Sequence, residues 1–146
     1  QCLVGSEMCI RDRFRAKLNR QQTLTEKELT PVTWIDVPMP VSYASKKLVE
    51  QLRVLEPFGK GNEKPVFADR KLTVRSANMI GKNKNVLKMQ LEDTQGHVVD
   101  AIQFKVEEED MPLRGKEISI VYYPDINEFR GNQTLQFIVQ EWCYTT

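Results

Sequence analysis

Apolar and polar residues alternate in several short runs along the second half of the chain. The clearest run is Val86–Asp93, where leucine and methionine recur at every second position and charged or polar residues fill the gaps. A period of two is typical of a β-strand with one buried side. The same pattern predicts four more strands, over Val66–Ile80, His97–Lys105, Gly115–Tyr123 and Thr134–Trp142.

The alternation also predicts which side chains share a face of each strand. In the first strand Leu72 and Val74 alternate with polar residues, and in the third Ile102 and Phe104 point to one side. The sets in the second, fourth and fifth strands are Leu87, Met89 and Leu91, then Ile118, Ile120 and Tyr122, then Leu135, Phe137 and Val139. Such alternation predicts a curved sheet with one buried face.

Polar segments separate the five predicted strands. Gly81–Asn85 and Thr94–Gly96 have the composition of short turns. Val106–Leu113 is compatible with a short helix, and Pro124–Asn132 reads as a long polar turn. Five alternating strands with a helix between the third and the fourth have the element order of an OB-fold. The predicted class is therefore mainly β, a five-stranded OB-fold barrel.

A short helical lead-in is predicted before the barrel. Phe14–Arg20 has the spacing of a helix end, and Val32–Val37 is a short β-prone run. Ser42 or Ser45 can cap a helix over Lys46–Leu55, which ends before the next proline. Its leucines recur at helical spacing, so we expect that side to pack on the barrel.

Composition limits the function classes that are possible. The 146 residues carry a net charge of +1, which excludes a uniformly basic nucleic-acid-binding protein. No apolar run approaches the roughly 18 residues of a membrane span. Three cysteines without a Cys-x-x-Cys motif favour a reduced, cytoplasmic protein. Residues 1–13 fit no periodic pattern, and we interpret them as translated adapter sequence, an artefact, or as a disordered terminus.

Charge is unevenly distributed along the predicted barrel. Residues 70–88 contain six basic residues and no acidic one, whereas residues 89–146 contain four basic and eleven acidic residues. OB-folds bind oligonucleotides along strands and loops that include this basic stretch and the loop between strands four and five. The predicted nucleic-acid-binding residues are Arg70, Lys71, Arg75, Lys82, Lys84, Lys88, Phe129 and Arg130. A simpler alternative is that the turn lysines only increase solubility.

No catalytic or metal-binding residues are predicted. The single histidine, His97, adjoins a turn, and the acidic run Glu107–Asp110 has the character of a solvated helix start. Gly59 and Gly61 flank a lysine, but no helix is predicted directly after them, so they do not form a nucleotide-binding loop of the usual kinds.

Several spaced blocks have a distinctive sequence: Leu55–Asn62 with Pro65–Phe67, Leu87–Leu91, Asp100–Phe104, and Ile126–Gly131 with Leu135–Phe137. In this order they resemble the OB domain of the RecJ family. The resemblance covers about Trp34 to Trp142. One departure is Glu63, where the family usually has proline. The family resembles other DHH-type phosphoesterases, and this chain contains no DHH string.

The resemblance implies a single-stranded-DNA-binding module from the C-terminal end of a 5′-to-3′ single-stranded-DNA exonuclease of DNA repair and recombination, in the bacterial cytoplasm. Residues 14–33 would be a remnant of the preceding catalytic region with a linker, and residues 34–146 the OB domain, with its barrel from about residue 66. The parent enzyme would use Mn²⁺ or Mg²⁺, whereas this fragment would be non-catalytic and hold no cofactor. The implied partners are single-stranded DNA, the missing nuclease core and a single-strand-binding protein.

Two alternatives stay open. The chain could be an OB-type module that docks a protein partner through Glu107–Asp110, or it could be an enzyme in its own right.

Overall fold

Helix α1, Glu7–Gln21, is the main element of the first of two compact units, which divide between Thr33 and Trp34. The computed structural model describes residues 7–23, 25, 28 and 32–145. The helix predicted over Phe14–Arg20 is confirmed, and it begins earlier, at Glu7. Residues 1–6 lie outside the described residues, so the interpretation of residues 1–13 stays a prediction.

The second unit contains one further helix and six strands among the described residues. Helix α2 is Lys46–Leu52, and the strands are β1 Val37–Pro38, β2 Phe67–Ile80, β3 Val86–Glu92, β4 Val98–Phe104, β5 Glu117–Phe129 and β6 Asn132–Tyr144. Single 3₁₀ turns occur at Val41–Tyr43, Arg53–Leu55 and Glu108–Asp110.

The strands form one sheet in the order β1-β2-β3-β4-β6-β5, and β2 also pairs with β5. The five long strands therefore pair in a ring. Strand β4 runs parallel to β6, and the other long strands pair in antiparallel fashion. The predicted mainly β, OB-type class is confirmed. The predicted count of five strands is not, because the two-residue strand β1 joins β2 as a sixth.

Strand β2 takes part in two pairings and contains a bulge in its pairing with β5. Its first half pairs with β5 and its second half with β3, and the register shifts between Asp69 and Leu72. Lys71 within the bulge has a φ of 61°, which is uncommon for a residue with a side chain. A long strand such as Phe67–Ile80 bends where its register shifts.

Apolar side chains on the inner side of the sheet form the core. Leu72 and Val74 are buried, and so are Leu87, Met89, Leu91, Ile118, Ile120, Tyr122, Phe137 and Val139, as the alternation predicts. The rings of Tyr122 and Phe137 meet edge to face with centroids 5.2 Å apart. Burial of such side chains supplies about 1.5–3 kcal/mol each relative to exposure, which makes this layer the main source of stability.

The segment that follows β1 is held against β2 and β5 by hydrogen bonds. The Met39 amide donates to the Ala68 carbonyl at 2.9 Å, and the Val41 amide donates to Asp69 Oδ2 at 2.8 Å. The hydroxyl of Tyr122 donates to the Met39 carbonyl at 2.8 Å. The segment Met39–Val41 is thus part of the second unit.

Helix α2 packs on the core through Leu52, which is partly buried, and Val49 on the same helix is buried as well. Ser45 is the cap, since its Oγ accepts from the Leu48 amide at 3.2 Å. The helix ends at Leu52, and Leu55 follows in a 3₁₀ turn with half of its surface exposed. The apolar face of the helix is therefore shorter than the sequence predicts.

Three predicted elements are wrong in extent. Pro124–Asn132 is no long turn, because β5 and β6 stay paired up to Phe129 and Asn132. Only two residues connect them, Arg130 at φ 52° and Gly131 at φ 79°, and positive φ at both positions suits a tight hairpin. The helix expected over 106–113 is a single 3₁₀ turn before the buried Pro112, and the strand expected over 32–37 is limited to Val37–Pro38.

The bond from Tyr122 to Met39 gives a stability prediction. Burial, with a smaller effect from Asp69, raises the pKa of the Tyr122 phenol, so the hydroxyl remains a donor at neutral pH. Tyr122→Phe should lower the free energy of unfolding by about 1–1.5 kcal/mol, because the Met39 carbonyl loses its donor. Urea denaturation measures this, with Tyr43→Phe as the control because Tyr43 is largely exposed. Equal stability of the two variants would contradict the assigned role.

Candidate nucleic-acid interface

Strands β3 and β4 present one side to solvent, which we call the β3–β4 outer face. It consists of Val86, Lys88, Gln90 and Glu92 on β3 and Val98, Asp100, Ile102 and Phe104 on β4. In the antiparallel register Val86 lies opposite Phe104, and Lys88 lies opposite Ile102. Side chains opposite each other in such a pair are about 5 Å apart at Cβ, so these four form one continuous surface.

The loop Gly81–Asn85 lies at one end of this face. Gly81 and Lys84 both have positive φ, at 90° and 47°, which gives the chain a tight turn before β3. Lys82 and Lys84 are exposed in the loop, and Lys88 is exposed on the outer face nearby. The structure therefore brings together three of the predicted binding residues.

Arg70 and Lys71 belong to a different part of the surface. Arg70 lines a shallow cleft together with Asp93, Thr94 and Gln95, at the turn that follows β3. The loop with Lys82 precedes β3, so the two groups are separated by the length of that strand, about 20 Å. The basic stretch is continuous in sequence but divided in space.

Arg75 is engaged by an acidic residue. Its Nε lies 2.6 Å from Glu92 Oε2, and its second guanidinium nitrogen lies 3.0 Å from Glu92 Oε1. The hydrogen bond and the charge of Glu92 raise the pKa of Arg75. Because the pair is bidentate, the positive charge is largely compensated and contributes little to a field that attracts phosphate.

Phe129 and Arg130 lie at the tip of the β5–β6 hairpin. Phe129 is 65% exposed, and the Arg130 guanidinium lies 5.1 Å from its ring centroid. Strand β6 runs parallel to β4 with Phe137 opposite Ala101, so its first residue lies beyond the start of β4. The hairpin tip is therefore at the end of β4 remote from Lys82 and Lys84.

Acidic residues occupy that remote end of the outer face. Glu92 and Asp100 lie on it, and Asp93 follows in the turn. Asp100 also accepts a hydrogen bond from the residue opposite it on β3, with Gln90 Nε2 3.4 Å from Asp100 Oδ1. The face thus has a basic end near the loop Gly81–Asn85 and an acidic end near the β3–β4 turn.

Sequence reasoning placed Ile102 and Phe104 on one side of their strand without showing that it is the outer one. Ala101 is the buried residue of β4, and Phe104 is 55% exposed. Hydrophobicity alone favours the opposite orientation, because the larger apolar side chains face out. The orientation is set instead by the pairing of Ala101 with Met89 on β3, whose side chain is fully buried.

The glycine-rich loop after α2 packs on β5. The backbones of Gly59 and Asn62 form an isolated antiparallel bridge. The side-chain Nδ2 of Asn62 donates to the carbonyls of Leu55 and Pro57 at 2.8 and 3.0 Å. The rings of Phe58 and Tyr123 meet edge to face, and Lys64 Nζ lies 4.3 Å from the Tyr123 ring centroid. The loop is held by its own side chains and has no nucleotide-binding helix after it.

No metal centre is apparent in the described part of the chain, where no three His, Cys, Asp or Glu side chains come together. His97 Nδ1 lies 3.0 Å from Asp93 Oδ2 at an exposed turn, and Glu107–Asp110 are exposed. Across residues 7–23, 25, 28 and 32–145, no helix is long and apolar enough to span a membrane.

Comparison with known proteins identifies the family. The model of the RecJ OB domain matches residues 35–141, which is most of the chain. The chain belongs to the RecJ OB domain family. It is 36% identical over 118 residues to the single-stranded-DNA-specific exonuclease RecJ of Haemophilus influenzae, and 28% identical over 131 residues to that of Bacillus subtilis.

These alignments cover 80% and 88% of this chain but 20% and 16% of the relatives, so the chain spans about a fifth of their length. The crystal structure of RecJ from Thermus thermophilus in complex with Mn²⁺ superposes with a TM-score of 0.66 at 18% identity. That superposition covers 95% of this chain and 19% of that one. The structural likeness supports the fold.

The loop that begins with Leu55-Glu56-Pro57 gives a second stability prediction. Asn62→Ala should remove both bonds to the loop carbonyls and accelerate amide exchange at Gly59 by about 5- to 30-fold, with little change in the global melting temperature. Hydrogen exchange by NMR measures the effect. Asn83→Ala, in the exposed loop between β2 and β3, is the control. Unchanged exchange at Gly59 would show that Asn62 does not hold the loop.

Proposed function

We propose that this chain is the single-stranded-DNA-binding OB module of a RecJ-like 5′-to-3′ exonuclease that acts in DNA repair and recombination. The five long strands would form the OB barrel, and the DNA would lie on the β3–β4 outer face. The observation that carries the proposal is the grouping of Lys82, Lys84 and Lys88 at one end of that face. Among the residues that the structure describes, none of these lysines has an ion-pair partner.

Uncompensated lysines bind nucleic acid by replacing the counterions of phosphate groups. That attraction has no sequence preference, which suits a module that must hold any single strand during degradation. The net charge of +1 for the whole chain is no obstacle, because binding depends on the local charge, and no acidic residue lies between Lys82 and Lys88 in the sequence.

Hydrolysis of the phosphodiester would be carried out by a nuclease core, which corresponds to the part of the relatives that this chain does not span. Structures of the Thermus thermophilus RecJ contain Mn²⁺ or Mg²⁺. The described residues of this chain do not assemble ligands for such an ion, so we assign it to the nuclease core. The proposed location is the bacterial cytoplasm, and a single-strand-binding protein is a proposed further partner.

Removal of the lysine charges should weaken binding in a salt-dependent way. Changing Lys82, Lys84 and Lys88 together to alanine should reduce the slope of log Kobs against log salt by about 2, at about 0.7 per lost phosphate contact. Fluorescence anisotropy with a labelled oligo-dT strand, from about 50 to about 200 mM salt, measures both affinity and slope.

The control is the double variant Arg75→Gln with Glu92→Gln, because it removes a positive and a negative charge that compensate each other. We expect it to leave the slope nearly unchanged. An unaltered slope in the triple lysine variant, or an equal effect of this double variant, would show that the proposed surface is wrong.

A further inference from the structure

Phe104 is a large aromatic side chain on the solvent side of a sheet. It ends β4, opposite Val86 and diagonal to Lys88, and it is 55% exposed. Lys84 precedes Val86 by two residues, in the loop that leads into β3, so both lysines belong to the chain segment next to the ring. An exposed ring flanked by Val86 and Ile102, with lysines on the adjoining segment, has the composition of a nucleobase-stacking surface.

The packing of β4 does not require an aromatic residue at this position. The core contacts of the strand come from Ala101 and Val99, on the side away from the Phe104 ring. Phe104 buries less than half of its surface, so its contribution to folding is smaller than that of a core phenylalanine. The ring is therefore available to a ligand without disturbance of the core.

The exposed ring at the hairpin tip differs from Phe104 in two respects. The Arg130 guanidinium already lies over Phe129 at 5.1 Å from its centroid. The hairpin also lies toward the acidic end of the outer face, where Asp93 and Asp100 would repel phosphate groups. Phe104 stands instead at the basic end, beside the lysines that would bind the adjoining phosphates.

We propose that Phe104 is the principal base-stacking residue of this module and that the single strand crosses β3 and β4 at their basic end. The inference rests on the proposed function and extends it, since it assigns the ligand contact to a nucleobase and places it at one end of the face. Stacking on Phe104 would add a salt-independent contribution to the salt-dependent one from Lys84 and Lys88.

Substitution of Phe104 should separate these two contributions. Phe104→Leu keeps an apolar side chain but removes the aromatic face, and it should weaken oligo-dT binding by about 5- to 100-fold with an unchanged salt slope. Phe104→Tyr retains the ring and should bind within about twofold of the unsubstituted chain. Circular dichroism should show that both variants fold, because the position is exposed.

A tryptophan probe reports contact directly. Phe104→Trp should add tryptophan fluorescence that oligo-dT quenches. The unsubstituted chain, which contains Trp34 and Trp142, gives the background quenching to be subtracted. Val98→Trp is the matched control, because Val98 is exposed on the same face of β4 at its acidic end, about 20 Å away. We expect no added quenching at that position.

The outcomes distinguish this inference from the proposed function. If the unsubstituted chain binds oligo-dT but Phe104→Leu binds equally well, or if quenching is greater at Val98→Trp, the role of Phe104 is overturned and the module remains a DNA-binding one. If Phe104→Leu also changes the salt slope by as much as the triple lysine variant, the loss is not one of stacking and the inference fails. If the unsubstituted chain does not bind DNA, both proposals fail.

Discussion

The pairing of one strand with two neighbours is the constraint on which the rest of the structure depends. Strand β2 pairs with β5 through its first half and with β3 through its second half, and Thr73 pairs with both neighbours. The register shifts at Asp69–Leu72 in the first pairing and at Val74–Ser76 in the second, and such irregularities increase the local twist and bend of a strand. The cost is a lysine at positive φ, which the hydrogen bonds of Asp69 to the amides of Arg70 and Val41 help to offset.

Because the strands pair in a ring, each side chain of the sheet faces either the common core or the solvent. Tyr122, Phe137 and their neighbours fill the inside. The outside is left to residues that contribute little to stability, and on β3 and β4 these residues differ from one end to the other. One end is basic and includes an exposed aromatic residue, and the other end, near the β3–β4 turn, is acidic. This difference in charge defines where a polyanion can lie.

Local patterns in the sequence predicted much of this fold and less of the site. Strand β3 was predictable because its alternation is regular, and the cap at Ser45 because its chemistry is local. The hairpin tip at Arg130 was not, because cross-strand bonds extend β5 and β6 through a polar segment. The ion pair between Arg75 and Glu92 joins residues on different strands, so the basic stretch looked more uniform in sequence than it is in space.

The orientation of β4 could not be predicted from its own sequence either. Its larger apolar residues face outward because the partner strand fixes the register, and no property of β4 alone reveals this. The strand pattern predicted the fold class and family resemblance suggested the proposed ligand, whereas the structure supplied the grouping of residues on the surface. The assignment of the DNA path to one end of the outer face is therefore the claim most specific to this structure.

The most direct measurement of that claim is a chemical-shift map of the ¹⁵N-labelled chain titrated with oligo-dT. We expect the largest amide shifts at residues 82–88 and 102–105, with little change at Arg70, Lys71 and the hairpin tip at Phe129–Gly131. Shifts concentrated at the hairpin tip or at the β2 bulge, with none near Phe104, would contradict the proposed path.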